Sequence, residues 1–306
     1  SYDWEIFAIK MAEAVGIDIR GTMTVSPPLT LYADCCEAGF RYAEAGCPIA
    51  IASGAVYGGT SPATLAGATI TNNAEVIAGI VLVQLIRPGA GIVACDFTFP
   101  MDMQFGHPVF GALGSALHQV IFDQIWRNYS IPTSNWHAGY SSSKKIDFQA
   151  GYERAMSSLL YALAGNNLCD LHGPIYGELT YHPVMSILDD DIAGWIGRFI
   201  EGVKVTDETL AIDLIEQVGP IPGQYLNTSH TRKWWQSEQF IPKSADREPY
   251  PEWLKRGKKD ALVLAKERME EILAKHEPEP LTPEQDKAID EILEEARSFY
   301  RQKGLM

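Results

Sequence analysis

The chain has no long apolar run, no excess of positive charge and no cysteine spacing suited to a metal. Its longest apolar stretch, Ala74 to Ile86, is about 13 residues and is interrupted by Glu75 and Gln84. A helix crossing a bilayer needs roughly 20 apolar residues, so no span is expected. The formal net charge of -14 argues against nucleic acid, whose phosphates require a basic face, and against an anionic membrane surface. The five cysteines (Cys35, Cys36, Cys47, Cys95 and Cys169) are odd in number and form no CxxC pair. They read as reduced thiols of a cytoplasmic protein, and no metal held by the chain itself is expected. The amino terminus, SYDWEIFAIK, shows no basic region ahead of an apolar core, so no signal peptide is read there.

What is present is ordinary globular composition: 306 residues, 46% hydrophobic and 21% charged. That length supports a substantial core. Short apolar segments alternate with helical patterns. Strands are expected at 18–27, 48–54, 91–97, from Pro132 for about seven residues, and at 167–172. Helices are expected at 4–15, 30–46, 63–86, 111–129, about 148–164, 185–200 and from Thr206 to Val218. Ser61 and Pro62 suit the start of the third helix as cap and first residue.

This βα recurrence predicts a parallel α/β fold, and no GxGxxG fingerprint marks it as a nucleotide fold. A TIM-type (β/α)8 barrel fits best. Only about five strands are convincing, which predicts a barrel lacking its amino-terminal strands in this chain. Residues 1–226 are read as this partial barrel. Residues 227–306 are read as an irregular wrap followed by two amphipathic helices, at 259–275 and 283–303, that pack on the barrel or on an oligomer partner. A homo-oligomer is expected. Thr282 and Gln285 form a capping box for the last helix.

The stretch from Pro132 to Glu153, PTSNWHAGYSSSKKIDFQAGYE, reads as a strand, a polar loop and the start of a helix bearing Phe148, Tyr152, Met156 and Leu159. In such units the chemistry sits where the strand's carboxyl end meets its loop. Trp136, His137, Tyr140, Lys144, Lys145 and Asp147 all fall there.

Three segments carry a resemblance: GTSPATLAGATITNNAEVIAGIVLVQLIRPG (59–89), SSSKKIDFQAGYE (141–153) and NTSHTRKWWQSEQFIPKSADR (227–247). They are similar to the trimethylamine methyltransferase family, which includes the glycine betaine:corrinoid methyltransferases. The resemblance implies a TIM barrel that moves a methyl group from a methylated amine to the Co(I) cobalamin of a separate corrinoid protein. One branch carries pyrrolysine in or near the 141–147 loop. Here Lys144 and Lys145 stand in that loop, so the quaternary-amine branch, with a glycine betaine-like substrate, is expected. Ser142 stands where the family pattern has Asp, and Lys145-Ile146 where it has an apolar residue and Pro.

For that chemistry the candidate substrate-binding residues are Tyr57, Phe97, Phe99, Trp136, His137, Tyr140, His172 and Tyr176, since electron-rich rings suit a quaternary ammonium. Lys144, Asp147 and Glu178 are the candidate catalytic groups, and Gly58 and Gly59 the candidate contacts to the corrinoid cofactor. Asp96, Asp102 and Gln149 are further groups able to order the shell. Two alternatives stay open: a non-catalytic quaternary-ammonium binder, and a barrel hydrolase using two carboxylates such as Asp96 and Glu178.

Overall fold

A computed structural model describes residues 3–305. The first elements are helix α1 (Trp4–Val15), strand β1 (Gly21–Val25), α2 (Ala33–Ala45), β2 (Ile49–Ser53), β3 (Val56–Tyr57) and α3 (Leu65–Ile86). They continue with β4 (Ile92–Asp96), β5 (Phe99–Asp102), β6 (His107–Pro108), α4 (Leu113–Asn128), β7 (Thr133–Asn135) and α5 (Phe148–Ala164). After them come β8 (Leu168–Cys169), β9 (Pro174–Ile175), β10 (Thr180–Tyr181) and α6 (Pro183–Glu201). Six further helices complete the chain: α7 (Asp207–Leu210), α8 (Ile212–Val218), α9 (Ser229–Glu238), α10 (Tyr250–Lys255), α11 (Ala261–Lys275) and α12 (Pro283–Gln302).

The central sheet is parallel and five-stranded, in the order β1-β2-β4-β7-β8. This α/β sheet is open. Small strands decorate the carboxyl ends: β3 pairs with β5 and β5 with β6, while β9 and β10 form a separate pair. The expected strand count therefore holds, but the individual strands are shorter. The seven residues expected from Pro132 shrink to three, because Trp136 and His137 already belong to the turn that leads to Gly139.

Buried on both faces, the strands read as apolar runs, and their two faces differ in side-chain size. Ile49, Ile51 and Ala94 point to the helices and join Met23, Val25, Tyr42, Val76, Val83, Phe122 and Trp126 in the main core. Ala50, Ala52 and Cys95 point to the opposite face, where the Trp136 ring packs on them. Small residues there leave the volume that the indole occupies.

Helix α3 begins later than expected. Thr64, not Ser61, is its cap, and its hydroxyl accepts from the backbone N–H of Gly67 at 3.3 Å. At 22 residues, α3 is the one helix among the described residues that is long and apolar enough, by length and composition, to cross a membrane. The shorter run seen in sequence missed this, because the helix continues back through Thr69 and Leu65. Its single charge, Glu75, faces inward, accepts from Leu29 N at 2.7 Å and from the Ser53 hydroxyl, and ties the helix to the sheet.

The stretch after Thr206 breaks at Ala211 (φ 52°) into α7 and α8, and the segment read as an irregular wrap contains α9 and α10. The capping box at Thr282 is present. Helix α12 returns to the start of the chain, where Phe299 and Tyr300 meet Phe7 with ring centroids 5.5 and 5.8 Å away.

Candidate functional site

Beyond the carboxyl end of the sheet, alternation carries Phe97 to the same side as Cys95, and Trp136 lies beside it. The two rings are half-buried, with centroids 6.4 Å apart. Phe97 also meets Phe99 at 4.8 Å and Tyr140 at 5.9 Å. His137 packs on Phe99 at 4.8 Å, and Tyr140 reaches His172 at 6.2 Å. Six of the eight candidate binding residues thus form one run of ring contacts. Phe110, which the sequence did not single out, closes it against Phe99 and Tyr140 at 4.8 and 5.7 Å. Burial pushes the Tyr140 phenol up to about 12, reinforced by Glu178 and Asp170, so it stays a neutral ring with an O–H to donate.

The other two aromatics stand apart. Tyr57 packs over Gly114, where an added Cβ would lie 1.7 Å from the phenol oxygen, and burial raises it to about 12. Tyr176 lies under Lys144, whose Nζ is 4.8 Å from the ring centroid and donates to Ser142 O at 2.8 Å. Lys144, His172 and Glu178 are exposed; His172 meets Tyr140 at the end of the ring cluster, while Lys144 keeps to Tyr176.

Asp147 caps α5. Its Oδ1 accepts from Ala150 N at 3.0 Å and from the Ser143 hydroxyl at 2.9 Å, and these bonds hold its carboxyl below the usual range. Gln149 donates to Glu153 at 2.8 Å. Gly58 and Gly59 form the turn after β3; a Cβ on Gly59 would lie 2.4 Å from Met101 Cε, so methionine covers that turn. Asp102 serves its own loop, accepting from Gln104 N and Phe105 N at 2.8 and 3.0 Å.

Asp96 is fully buried and faces the helices, the side opposite Phe97. His118 Nδ1 lies 2.9 Å from Oδ2, Asn72 donates to Oδ1 at 3.2 Å, and His137 Nε2 is 3.8 Å from Oδ2. Burial opposes its ionisation, but His118 and His137 outweigh that and hold the carboxyl well below the carboxylate range. Pairing Asp96 with Glu178 as two hydrolytic carboxylates is therefore corrected: Asp96 is sealed beneath the site while Glu178 is in solvent. Asp96 instead fixes His137, one wall of the ring cluster.

Two residues not foreseen brace the loops. Glu153 accepts from the Ser141 hydroxyl and from Ser142 N, pinning the serine loop to α5. Arg154 lies beside it, fully buried and paired with Asp189 of α6. Their one sequence signal is a charged pair in the middle of a helix, on the face away from Phe148 and Tyr152.

An apolar cavity of about 490 Å³ lies between α5, α6 and residues 240–247, lined by Met156, Trp195 and Phe240 among others, and none of the candidate residues borders it. Among the described residues no group of three His, Cys, Asp or Glu side chains is placed to hold a metal ion.

Comparison with known proteins bears on this geometry. The trimethylamine methyltransferase family model matches residues 7–298. The glycine betaine methyltransferase of Desulfitobacterium hafniense (strain Y51) is 37% identical over 267 residues, covering 86% of this chain and 53% of that protein. The trimethylamine methyltransferase MttB of Methanosarcina barkeri is 32% identical over 275 residues, covering 90% of this chain and 55% of that protein. The MttB of Desulfitobacterium hafniense (strain DSM 10664 / DCB-2) is 33% identical over 279 residues, covering 89% and 54%. The chain spans about half the length of these relatives. Since the family match runs through the whole sheet, the ring cluster and the carboxyl-terminal helices alike, the chain belongs to the trimethylamine methyltransferase family.

Proposed function

We propose that this chain carries the amine site of a methyltransferase that moves a methyl group from a quaternary or tertiary methylated amine, of glycine betaine type, to a corrinoid. The observation that carries the reading is the half-buried pair Phe97 and Trp136 at the head of the ring cluster. Two accessible aromatic faces meeting at one point form a site for an ammonium, each ring contributing about 0.5–2 kcal/mol. Tyr140 and His172 extend the wall outward. Lys144 and His172 are the exposed basic groups we assign to a betaine carboxylate, and a charge-assisted bond there fixes the ligand's orientation. Glu178 offsets the ammonium charge from the opposite sign, and Asp147 keeps the Lys144 loop in place through the helix cap.

The corrinoid is the methyl acceptor and is brought by a partner protein; when bound, its cobalt supplies the nucleophile. The Gly58-Gly59 turn fits that approach. Met101 fills it, and Met103 and Phe105 stand exposed on the neighbouring loop, presenting soft apolar surface to a flat macrocycle. The chain's own task is positioning: one methyl points outward and the remaining methyls rest on the rings. A quaternary amine leaves neutral, so the site needs no proton donor for the transfer. We infer further that the five-stranded sheet is an arc of a (β/α)8 barrel, with residues 227–306 wrapping it, in a cytoplasmic enzyme that binds no nucleic acid.

The test is an assay of the purified chain with free cob(I)alamin and a panel of betaines and methylamines. Loss of the Co(I) absorbance with one amine supports the transferase. Amine binding by calorimetry without methyl transfer assigns a binding module instead, and no binding of any amine refutes the site.

A further inference from the structure

Helices α3, α4 and α5 are apolar on their outward as well as their inward faces, and several of their polar side chains are buried. Beside the core side chains Val76, Val83, Phe122 and Trp126, their inward faces carry Asn72, Glu75, His118, Gln119, Asp123, Glu153 and Arg154, all buried. Their outward faces carry apolar side chains: Ile70, Ile77, Val81 and Leu85 on α3, Leu113, Leu117 and Ile121 on α4, and Phe148, Tyr152 and Met156 on α5. Of the five charged side chains on these helices, only Arg127 is exposed. In a chain of net charge -14, these three helices thus present a neutral outer surface.

We propose that this face is the interface with a second copy of the same chain, centred on α3. Two observations favour a copy over another partner. First, the exposed stripe of α3 is self-complementary. It runs Ile70, Ala74, Ile77, Ala78, Val81, Leu85, within one ~100° face of the helix. Lay α3 antiparallel on itself about a two-fold axis between Ile77 and Ala78. Ile77 then meets Ala78, Val81 meets Ala74, and Leu85 meets Ile70. At four of the six positions a branched side chain faces alanine, which lets two helices interdigitate in an isologous contact. Second, copies carrying this much negative charge approach only through a surface free of it, and the three helices supply one. At 1.5 Å per residue α3 is about 33 Å long, and three axes 8–10 Å apart give a face roughly 28 Å wide. That is about 900 Å² per copy, against the ~800 Å² a standard interface buries on each side.

The inference is independent of the proposed activity. It also differs from the expectation that the carboxyl-terminal helices form the contact, since the exposed face of α11 and α12 is rich in charge.

Light scattering on the size-fractionated chain tests it. Wild type is expected as a dimer, and Ile77→Asp, which places two carboxylates at the axis, as a monomer with unchanged far-ultraviolet circular dichroism and at least 100-fold weaker association. Under mild oxidation Ala78→Cys is expected to give a disulfide-linked dimer, while wild type and Glu267→Cys give none. A monomeric wild type, a dimer indifferent to Ile77→Asp, or no cross-link from Ala78→Cys overturns the proposal. So does flotation of wild type with neutral phosphatidylcholine vesicles that Ile77→Asp abolishes, which would give the face to a membrane.

Discussion

Replacing Asp189 by Asn tests whether the loop that carries Tyr176 is held by charge. Arg154 Nε donates to Asp189 Oδ1 at 2.8 Å, Nη2 donates to Oδ2, and Nη1 donates to Pro174 O at 2.6 Å. Asp189 Oδ2 also accepts from Gly173 N at 2.7 Å. Both side chains are fully buried. One carboxylate and one guanidinium thus fix residues 173–174, and from there Tyr176 N and Gly177 N reach Ser143 O and Ser141 O at 2.9 and 2.8 Å. Asn leaves the guanidinium buried without a counter-charge, and breaking one side of a buried pair costs about 3–5 kcal/mol.

A chain of this length loses about 2 °C of Tm per kcal/mol, so differential scanning fluorimetry should show a fall of roughly 6–10 °C. The double variant Arg154→Met with Asp189→Asn removes both charges and keeps an oxygen for Gly173 N. It should recover at least half of the loss. A change for Asp189→Asn no larger than a surface substitution, within about 0.5 kcal/mol, would refute the reasoning. So would a double variant as unstable as the two single losses added together.

Phe97→Ala and Trp136→Ala should each weaken quaternary-ammonium binding by about 0.5–2 kcal/mol, or roughly 2- to 30-fold, in titration calorimetry, and Trp136→Ala should also lower the melting temperature, since its indole packs on Ala50, Ala52 and Cys95. Lys144→Ala should weaken a betaine but leave tetramethylammonium unaffected, since only the former carries a carboxylate. Asp123, 1% exposed, has its carboxyl pushed by burial from 3.8 up to about 6. A raised folded value means the native state binds more protons than the unfolded one between those two limits, so stability falls as pH rises from about 4 to 6 and that contribution is gone above it. Asp123→Asn should flatten this segment of the urea-midpoint profile, and a profile indistinguishable from wild type would place the titration elsewhere.

What sequence could and could not show turns on which face of each element is covered. The ring cluster was legible because Phe97, Trp136 and Tyr140 follow directly on strands whose ends the apolar runs already mark. The side to which Asp96 turns was not. In Ile92–Asp96 apolar residues occupy both faces, so alternation carries no direction, and only pairing with β2 and β7 sends Ala94 and Asp96 to the helices and Cys95 and Phe97 to the site. The helices mislead for a related reason. A 3.6-residue stripe of Phe148, Tyr152 and Met156 does establish α5, but an apolar stripe points to the core only if the core is apolar there. Beneath α4 and α5 it is polar in part, beside Phe122 and Trp126: Gln119 donates to Asp123, Asn135 to Gln119, Asn166 to Asp123, each at 2.5–2.8 Å, and Arg154 reaches Asp189. Those bonded groups must lie inward to be satisfied, since an unpaired buried polar atom costs about 1–3 kcal/mol. That requirement fixes the rotation of the helix and leaves its apolar stripe outward. The same polar layer that braces His137 and the 141–143 loop under the site therefore creates the neutral outer face, and a change such as Asn135→Leu would act on both.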